Sequence, residues 1–311
     1  MNKRVYGVLG IKSIMANWNA DFTGYPKSIS TGEVFGSDKA FKFPMKKMWQ
    51  QQGEKVVYIK TLKTEIDKKE GVKVVPRSLK ERYEMLFDVE DLKKEKDAPK
   101  VLTNLFKAID IKNFGATFAE EGTNFSIIGA VQIGQGFNKY EGTTAEEQQI
   151  LSPFRDGTDE KAEQSTLGTK IVSSEAHYFY PFVINPKAYS EYKTMGVTEG
   201  YTQEDYDKFK TAALVAATAF NSNSKLGCEN EFGLFVETEE DLYLPDLAQY
   251  ITFTKEAGKD IVEIEIESLI NPLKDRIKKI EVYYNPLKMI MKNPLPGATY
   301  YNLFTKEEIK L

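Results

Sequence analysis

Histidine and cysteine are nearly missing from this 311-residue chain, which holds one of each, His177 and Cys228. A single cysteine excludes an internal disulfide and a cysteine-based zinc cluster, and a single histidine removes most His/Cys metal sets. Three catalytic signatures are also lacking. There is no Gly-x4-Gly-Lys-Ser/Thr phosphate loop, no Gly-x-Gly-x-x-Gly after a strand and no Gly-x-Ser-x-Gly nucleophile turn. No cofactor and no metal is therefore expected. Long apolar runs are wanting too: a run such as residues 212–217 falls far short of the roughly 20 residues that span a bilayer. The opening Met-Asn-Lys-Arg-Val-Tyr-Gly has no signal-peptide hydrophobic region, so a cytoplasmic location without membrane contact is the expectation. What remains is ordinary core-forming material, 41% hydrophobic against 28% charged, enough for one large domain or two modest ones.

Charge is spread unevenly. The whole chain is −4, yet residues 1–60 hold ten Lys and Arg against four Asp and Glu. The total speaks against a nucleic-acid protein and the distribution speaks for one. The basic groups concentrate in GSDKAFKFPMKKMW, residues 36–49, where Lys39, Lys42, Lys46 and Lys47 follow a Gly-Ser-Asp helix start. Ser37 or Asp38 is expected to cap that helix, whose free N–H groups and positive dipole end favour an anion. Pro44 is expected to restart or kink it. Upstream, the apolar run 5–11 leads into a polar loop, NWNADFTG at residues 17–24. Strand, polar loop and lysine-bearing helix start together make a phosphate-binding corner; the competing reading is a solvated helix face.

Residues 5–11 and 56–59 read as buried strands. Ser78 with Glu81 opens a helix to about residue 87, and Asp97 with Pro99 opens another whose apolar face is Val101, Leu102, Leu105, Phe106 and Ile109. Residues 125–133 read as one strand, with Gly129, Gly134 and Gly136 marking bulges or close backbone approach. Residues 138–170 are turn-rich and lack a sustained period, which marks a long functional or disordered segment. Residues 177–184 return to strand, with Pro181 at an edge or bulge. Thr202 with Asp205 caps a helix to residue 220, and residues 232–236, 262–267 and 280–284 are further strands. The pattern is a mixed α+β fold with long insertions. His177 sits inside an aromatic strand and reads as a packed histidine or, against that, a catalytic one. Asp21 and Asp38 lie near the basic segment; they read as a turn residue and a helix cap, or as carboxylates of a metal-dependent ribonuclease.

Several segments in order carry a family resemblance: RVYGVLGIKSIMANWNADFTG at 4–24, GSDKAFK at 36–42, NFGATF at 113–118, GAVQIG at 129–134, LGTKIVSSEAHYFY at 167–180 and NSNSKLG at 221–227. Through them the chain resembles the backbone subunit of type I CRISPR Cascade complexes, in its type I-B form, the DevR family. The resemblance implies an α+β, RRM-like (ferredoxin-like) palm at 1–62, 113–137 and 171–311, with a helical fingers insertion at 63–112 and a projecting thumb hairpin at 138–170. It also implies partners: CRISPR guide RNA, target DNA by way of the guide, head-to-tail copies of the same chain, other Cascade subunits and a recruited helicase–nuclease.

The residues implied for RNA contact are Asn17 and Asn19 in the polar loop, Ser37, Lys39, Lys42 and Lys46 at the helix, and Gln132 in the palm, which also reads as an inward strand glutamine. Asn221, Ser224 and Lys225 match a loop that lies against the guide, or form an ordinary polar helix end. In the thumb, Phe154, Arg155 and Leu167 are implied. Residues 141–170 carry three basic against seven acidic groups, so a steric wedge by Phe154 or Leu167 suits the segment better than a broad phosphate grip. Phosphate contacts hold a strand without reading it, as a carrier of any guide requires. The aromatic motif of ordinary RRM proteins is missing from residues 125–131, so the palm is not expected to stack bases. The implied function is non-catalytic; the rivals are a ribonuclease using Asp21 and a regulator that works through protein contacts alone.

Overall fold

The structure, a computed structural model, describes residues 1–67, 71–151 and 167–310. In its first strand, β1 (Arg4–Ala16), residues 5–11 are apolar on both sides because both sides are covered there. There follow β2 (Phe35–Gly36), α1 (Asp38–Gln51), a hairpin of β3 (Leu62–Asp67) and β4 (Gly71–Pro76), and the helices α2 (Leu79–Phe87), α3 (Ala98–Leu105) and α4 (Ile109–Phe114). Next come β5 (Gly115–Glu120), β6 (Thr123–Ile128), β7 (Val131–Ile133), β8 (Gly136–Asn138), β9 (Ala145–Leu151) and the long β10 (Leu167–Ile184). The remainder is α5 (Ser190–Thr194), α6 (Gln203–Ala219), β11 (Cys228–Thr238), β12 (Ile251–Glu256), β13 (Lys259–Ile264), α7 (Glu267–Ile270), β14 (Ile277–Tyr284), β15 (Met289–Lys292), β16 (Thr299–Asn302) and β17 (Glu308–Ile309). The fold is mixed α+β.

The main sheet runs β17-β16-β14-β11-β1-β10-β8-β2, with β7 and β9 also paired to β10. Strand β1 lies antiparallel between β10 and β11. One face, carrying Val5, Leu9 and Ile11, is covered by α1 and α6 through Phe41, Met45, Trp49, Phe209 and Ala213. The other, carrying Tyr6, Val8, Phe179, Phe232 and Leu234, is sealed by a small sheet β12-β13-β15 through Phe253, Val262 and Ile264. The chain weaves between these sheets: β13 and β15 belong to the small one, β14 and β16 to the large one.

Several expectations are corrected by tertiary contacts. Residues 56–59 are not a strand, although Val56 and Val57 are buried and Tyr58 and Ile59 half-buried, because the Val57 and Tyr58 N–H groups donate to the Asp110 carboxylate at 3.0 and 2.8 Å. The apolar face from Val101 to Ile109 spans two helices, since the Ile109 N–H leaves helical geometry to donate to the Lys55 carbonyl at 2.9 Å. Residues 125–133 break at Gly129, whose added Cβ would lie 2.2 Å from the Phe114 backbone carbon. Pro44 neither restarts nor ends α1, which runs through it. Pro181 lies inside β10, opposite the gap between β7 and β8. The strand expected at 262–267 ends at Ile264, although Val262, Ile264 and Ile266 are all buried. In the turn-rich segment, residues 145–151 form β9, whose register with β10 runs from Ala145↔Ser173 to Leu151↔Leu167. Every residue of β9 is exposed, so this hairpin projects from the sheet.

Candidate nucleic-acid interface

Four segments meet at the root of that hairpin. The polar loop after β1 is fastened to it: Asn17 Nδ2 donates to the Gly24 carbonyl at 2.9 Å and the Ile171 carbonyl at 3.1 Å, and the Tyr25 hydroxyl bonds Glu147 on β9. The helix start is fastened to the loop, because Asn19 Oδ1 accepts from the Ser37 N–H at 2.8 Å. Ser37 is the N-cap expected, its Oγ accepting from the Ala40 N–H at 3.3 Å. The loop after α6 closes the group: the Ser224 carbonyl accepts from the Asn17 N–H at 2.9 Å, and Lys225 Nζ donates to the Asn17 carbonyl at 2.7 Å and to the Trp18 carbonyl. Lys170 Nζ reaches Asn223 Oδ1 at 3.3 Å, tying the hairpin to that loop.

Beneath lies a dense aromatic base. Trp18 Nε1 donates to the Tyr180 hydroxyl at 2.5 Å, and Phe41 packs on both rings. Gly36 passes over this pair so closely that a Cβ there would lie 1.8 Å from the Tyr180 hydroxyl oxygen. The helix start is thus seated by shape as well as by its cap.

The cations expected to meet phosphate have different fates. Lys39 is exposed, and no acceptor pairs with it among the described residues. Lys42 is paired with Asp38 at 2.8 Å and lies over Phe114. Lys46 is turned inward, toward the Tyr58 carbonyl at 3.4 Å and Asp110 at 4.0 Å. Burial pulls its ammonium below the ordinary lysine range against the attraction of Asp110, and burial likewise holds the Asp110 carboxyl above the ordinary range. Lys225 is also largely internal and pushed down by burial. Lys46 and Lys225 therefore act first as internal ties. Ser224 and Asn221 are exposed in the loop; Gln132 is exposed on β7, its amide donating to the Gly129 carbonyl at 2.8 Å, and is not the inward residue that was one reading. Phe154 and Arg155 lie outside the described residues; Leu167 begins β10.

Asp21 takes the turn role: its Oδ1 accepts from Thr23 N and Oγ1 and from Tyr25 N at 2.8, 2.7 and 3.1 Å. His177 is the packed, hydrogen-bonded strand residue, fully buried and stacked on Phe253 at 4.1 Å. Among the described residues Glu175, His177 and Asp260 bring ligand-type atoms within 4.8 Å of one another, but the Lys255 ammonium contacts both carboxylates and supplies the cation there. The sequence reading missed Phe22, a fully exposed aromatic in the polar loop, and the ties made by Tyr25 and Lys170. Only Phe22 left a signal, as the one aromatic among the polar residues 19–24.

A family model described as CRISPR-associated protein Cas7 matches residues 3–269. No curated protein matches the chain. Among solved structures it is similar to a chain of a CRISPR RNA-guided surveillance complex in a pre-nicking state, with a TM-score of 0.56 and 14% identity over 96% of each chain. A chain of a second CRISPR RNA-guided surveillance complex aligns with a TM-score of 0.46 and 13% identity, over 93% of this chain and 95% of that one. At 14% identity the first likeness is one of fold.

Proposed function

Because the chain belongs to the CRISPR-associated protein Cas7 family, we propose that it is a non-catalytic backbone subunit that binds CRISPR guide RNA in a Cascade complex of the type I-B form. Copies assemble head to tail along the guide, a heterologous contact that builds an open helical filament. The guide is held for pairing with target DNA, other Cascade subunits complete the particle, and a recruited helicase–nuclease does the cutting in the cytoplasm. Sequence reading is left to base pairing, and the protein meets backbone shape.

The observation that carries this reading is the convergence of the polar loop, the α1 start, the 221–227 loop and the hairpin root on one surface. The connectivity β1–α1–β7/β8–β10–α6–β11, in spatial order β11-β1-β10-β8, supports an RRM-like palm. The insertion at 63–112 supplies the fingers and the hairpin at 138–170 the thumb. Since the small sheet seals the palm's outer face, bases are not stacked on the strands; the guide runs along the loop edge, over Asn19, Ser37, Lys39, Lys42, Asn221 and Ser224, while the buried Asn17 holds that loop in place. Phe154, Arg155 and Leu167 serve the thumb.

The test is purification from cells that carry a CRISPR array, with sequencing of the bound nucleic acid. Guide RNAs of defined length in particles far larger than a 35 kDa chain are expected. A monomer free of RNA would remove the filament reading and favour the protein-only regulator. Target RNA cut at regular spacing with magnesium, and spared by Asp21→Ala, would favour the ribonuclease.

A further inference from the structure

His177 is the only histidine in the chain, and its ring is completely buried between two carboxylates. Nδ1 lies 2.9 and 3.0 Å from the two Glu231 oxygens, and Nε2 lies 3.1 Å from Glu175 Oε1. An ionised carboxylate only accepts, so both ring nitrogens must donate. That is the imidazolium form. Proton by proton, the geometry describes a fixed internal cation.

Its neighbours come from every element packed around it. Glu175 is on β10 itself, Glu231 on β11, Lys255 and the stacked Phe253 on β12, and Asp260 on β13. Lys12 stands opposite in the β1 register but is taken up by Glu229 at 2.9 Å. The Tyr140 ring closes the cluster edge-on at 5.9 Å, beneath the Lys255 ammonium. Lys288, from the loop before β15, lines a small cleft with Glu231 and Asp260. The cluster lies immediately below the projecting hairpin, whose pairing ends at Ser173. Here the Glu175 carbonyl accepts from Thr143 Oγ1 at 2.6 Å, and the His177 N–H donates to Asn138 Oδ1 at 2.8 Å.

The structure assigns His177 the role of a proton-dependent clasp: its doubly protonated ring holds the root of the β9–β10 hairpin against β11 and the small sheet, and loss of one proton frees that root. Without the proton, one ring nitrogen turns a lone pair toward a carboxylate, and the buried Glu231 loses its counter-charge while the half-buried Glu175 keeps only Lys255. Burial works against the charged ring, but Glu231 and then Glu175 hold its pKa above the ordinary histidine value. The clasp is therefore complete below the ordinary value near 6.5 and is lost as pH rises through the raised, folded value.

One histidine makes the test unambiguous, and no RNA is needed, so the result stands or falls apart from the guide-binding reading. Ring signals are followed by NMR against pH on the full chain, alongside hydrogen-exchange protection of residues 172–178 referred to that of α6. Wild type is expected to titrate above 6.5. Relative protection of the root should fall about tenfold per pH unit from there to the ring's own midpoint, then level off. Glu175→Gln removes one partner and should move ring midpoint and protection step down together. His177→Gln should show low protection at every pH and no step; if that variant fails to fold, Glu175→Gln carries the test. A ring that titrates at or below 6.5, or a root whose protection ignores the ring's midpoint, overturns the proposal.

Discussion

Replacing Lys39 and Lys46 separately by alanine should split two properties that sequence alone assigns to both. Lys39 is exposed and without a partner among the described residues, so its charge is available to a phosphate. The Lys46 ammonium faces the Tyr58 carbonyl and Asp110, and its side chain keeps only 18% exposure. For single-stranded nucleic acid each neutralised phosphate adds about 0.7 to the slope of log affinity against log salt. Lys39→Ala should therefore flatten the slope by about 0.7 per bound subunit. Lys46→Ala should leave it unchanged and instead cost about 1–3 kcal/mol of folding stability, because Asp110 keeps two N–H donors but loses its nearest cation. Lys42→Ala exposes Asp38 as it removes a cation, so its slope change should be no smaller than that of Lys39→Ala. Fluorescence anisotropy of a labelled guide strand over a series of salt concentrations gives the slopes, and urea unfolding gives the stabilities. A slope flattened as much by Lys46→Ala as by Lys39→Ala would refute the distinction between surface and internal lysines.

Gly36→Ala should destabilise the fold by at least about 1–3 kcal/mol, measured by urea unfolding, because the new methyl meets the Tyr180 hydroxyl and Trp18. Asn230→Ala should cost a similar amount, about 1–3 kcal/mol in the same assay, since its buried amide serves Ala217 N, Thr218 N and the Ala213 carbonyl near the end of α6. Glu281 is opposed by burial but held below the ordinary glutamate range by Lys210 and Lys279, so its contribution is present above about 4.5 and lost as pH falls through the lowered value. Glu281→Gln should be less stable than wild type at neutral pH, with the gap closing in acid unfolding curves.

Local signals were legible and long-range ones were not. Ser78 with Glu81 and Thr202 with Asp205 each form the reciprocal cap that their spacing announces, because both partners lie within one helical turn. Ser37 capped α1 for the same reason. Residues 56–59 failed as a strand because an aspartate more than fifty positions away takes their N–H groups, which no window of sequence displays. The lysines of α1 look alike in sequence and differ only in what Asp110, Phe114 and Tyr58 place beside them. The polar loop and the 221–227 segment meet across some two hundred residues, and only the family resemblance brought them together beforehand. The short strands β12 and β15 to β17 went unread, because their pairing depends on a chain that passes from one sheet to the other.

Strand β1 has a further consequence for how this chain is made. Arg4 pairs with Thr238 on one side, and Val5 with Ile184 on the other. On a ribosome adding about 5–20 residues per second, that strand waits on the order of ten to fifty seconds for both neighbours. Throughout the wait its apolar VYGVLGI run has at least one bare edge, the condition under which nascent strands pair with the wrong chain. Slow translation, crowding of polysomes or heat should therefore act on the yield of this protein through its first thirteen-residue strand, long before the finished fold is in question.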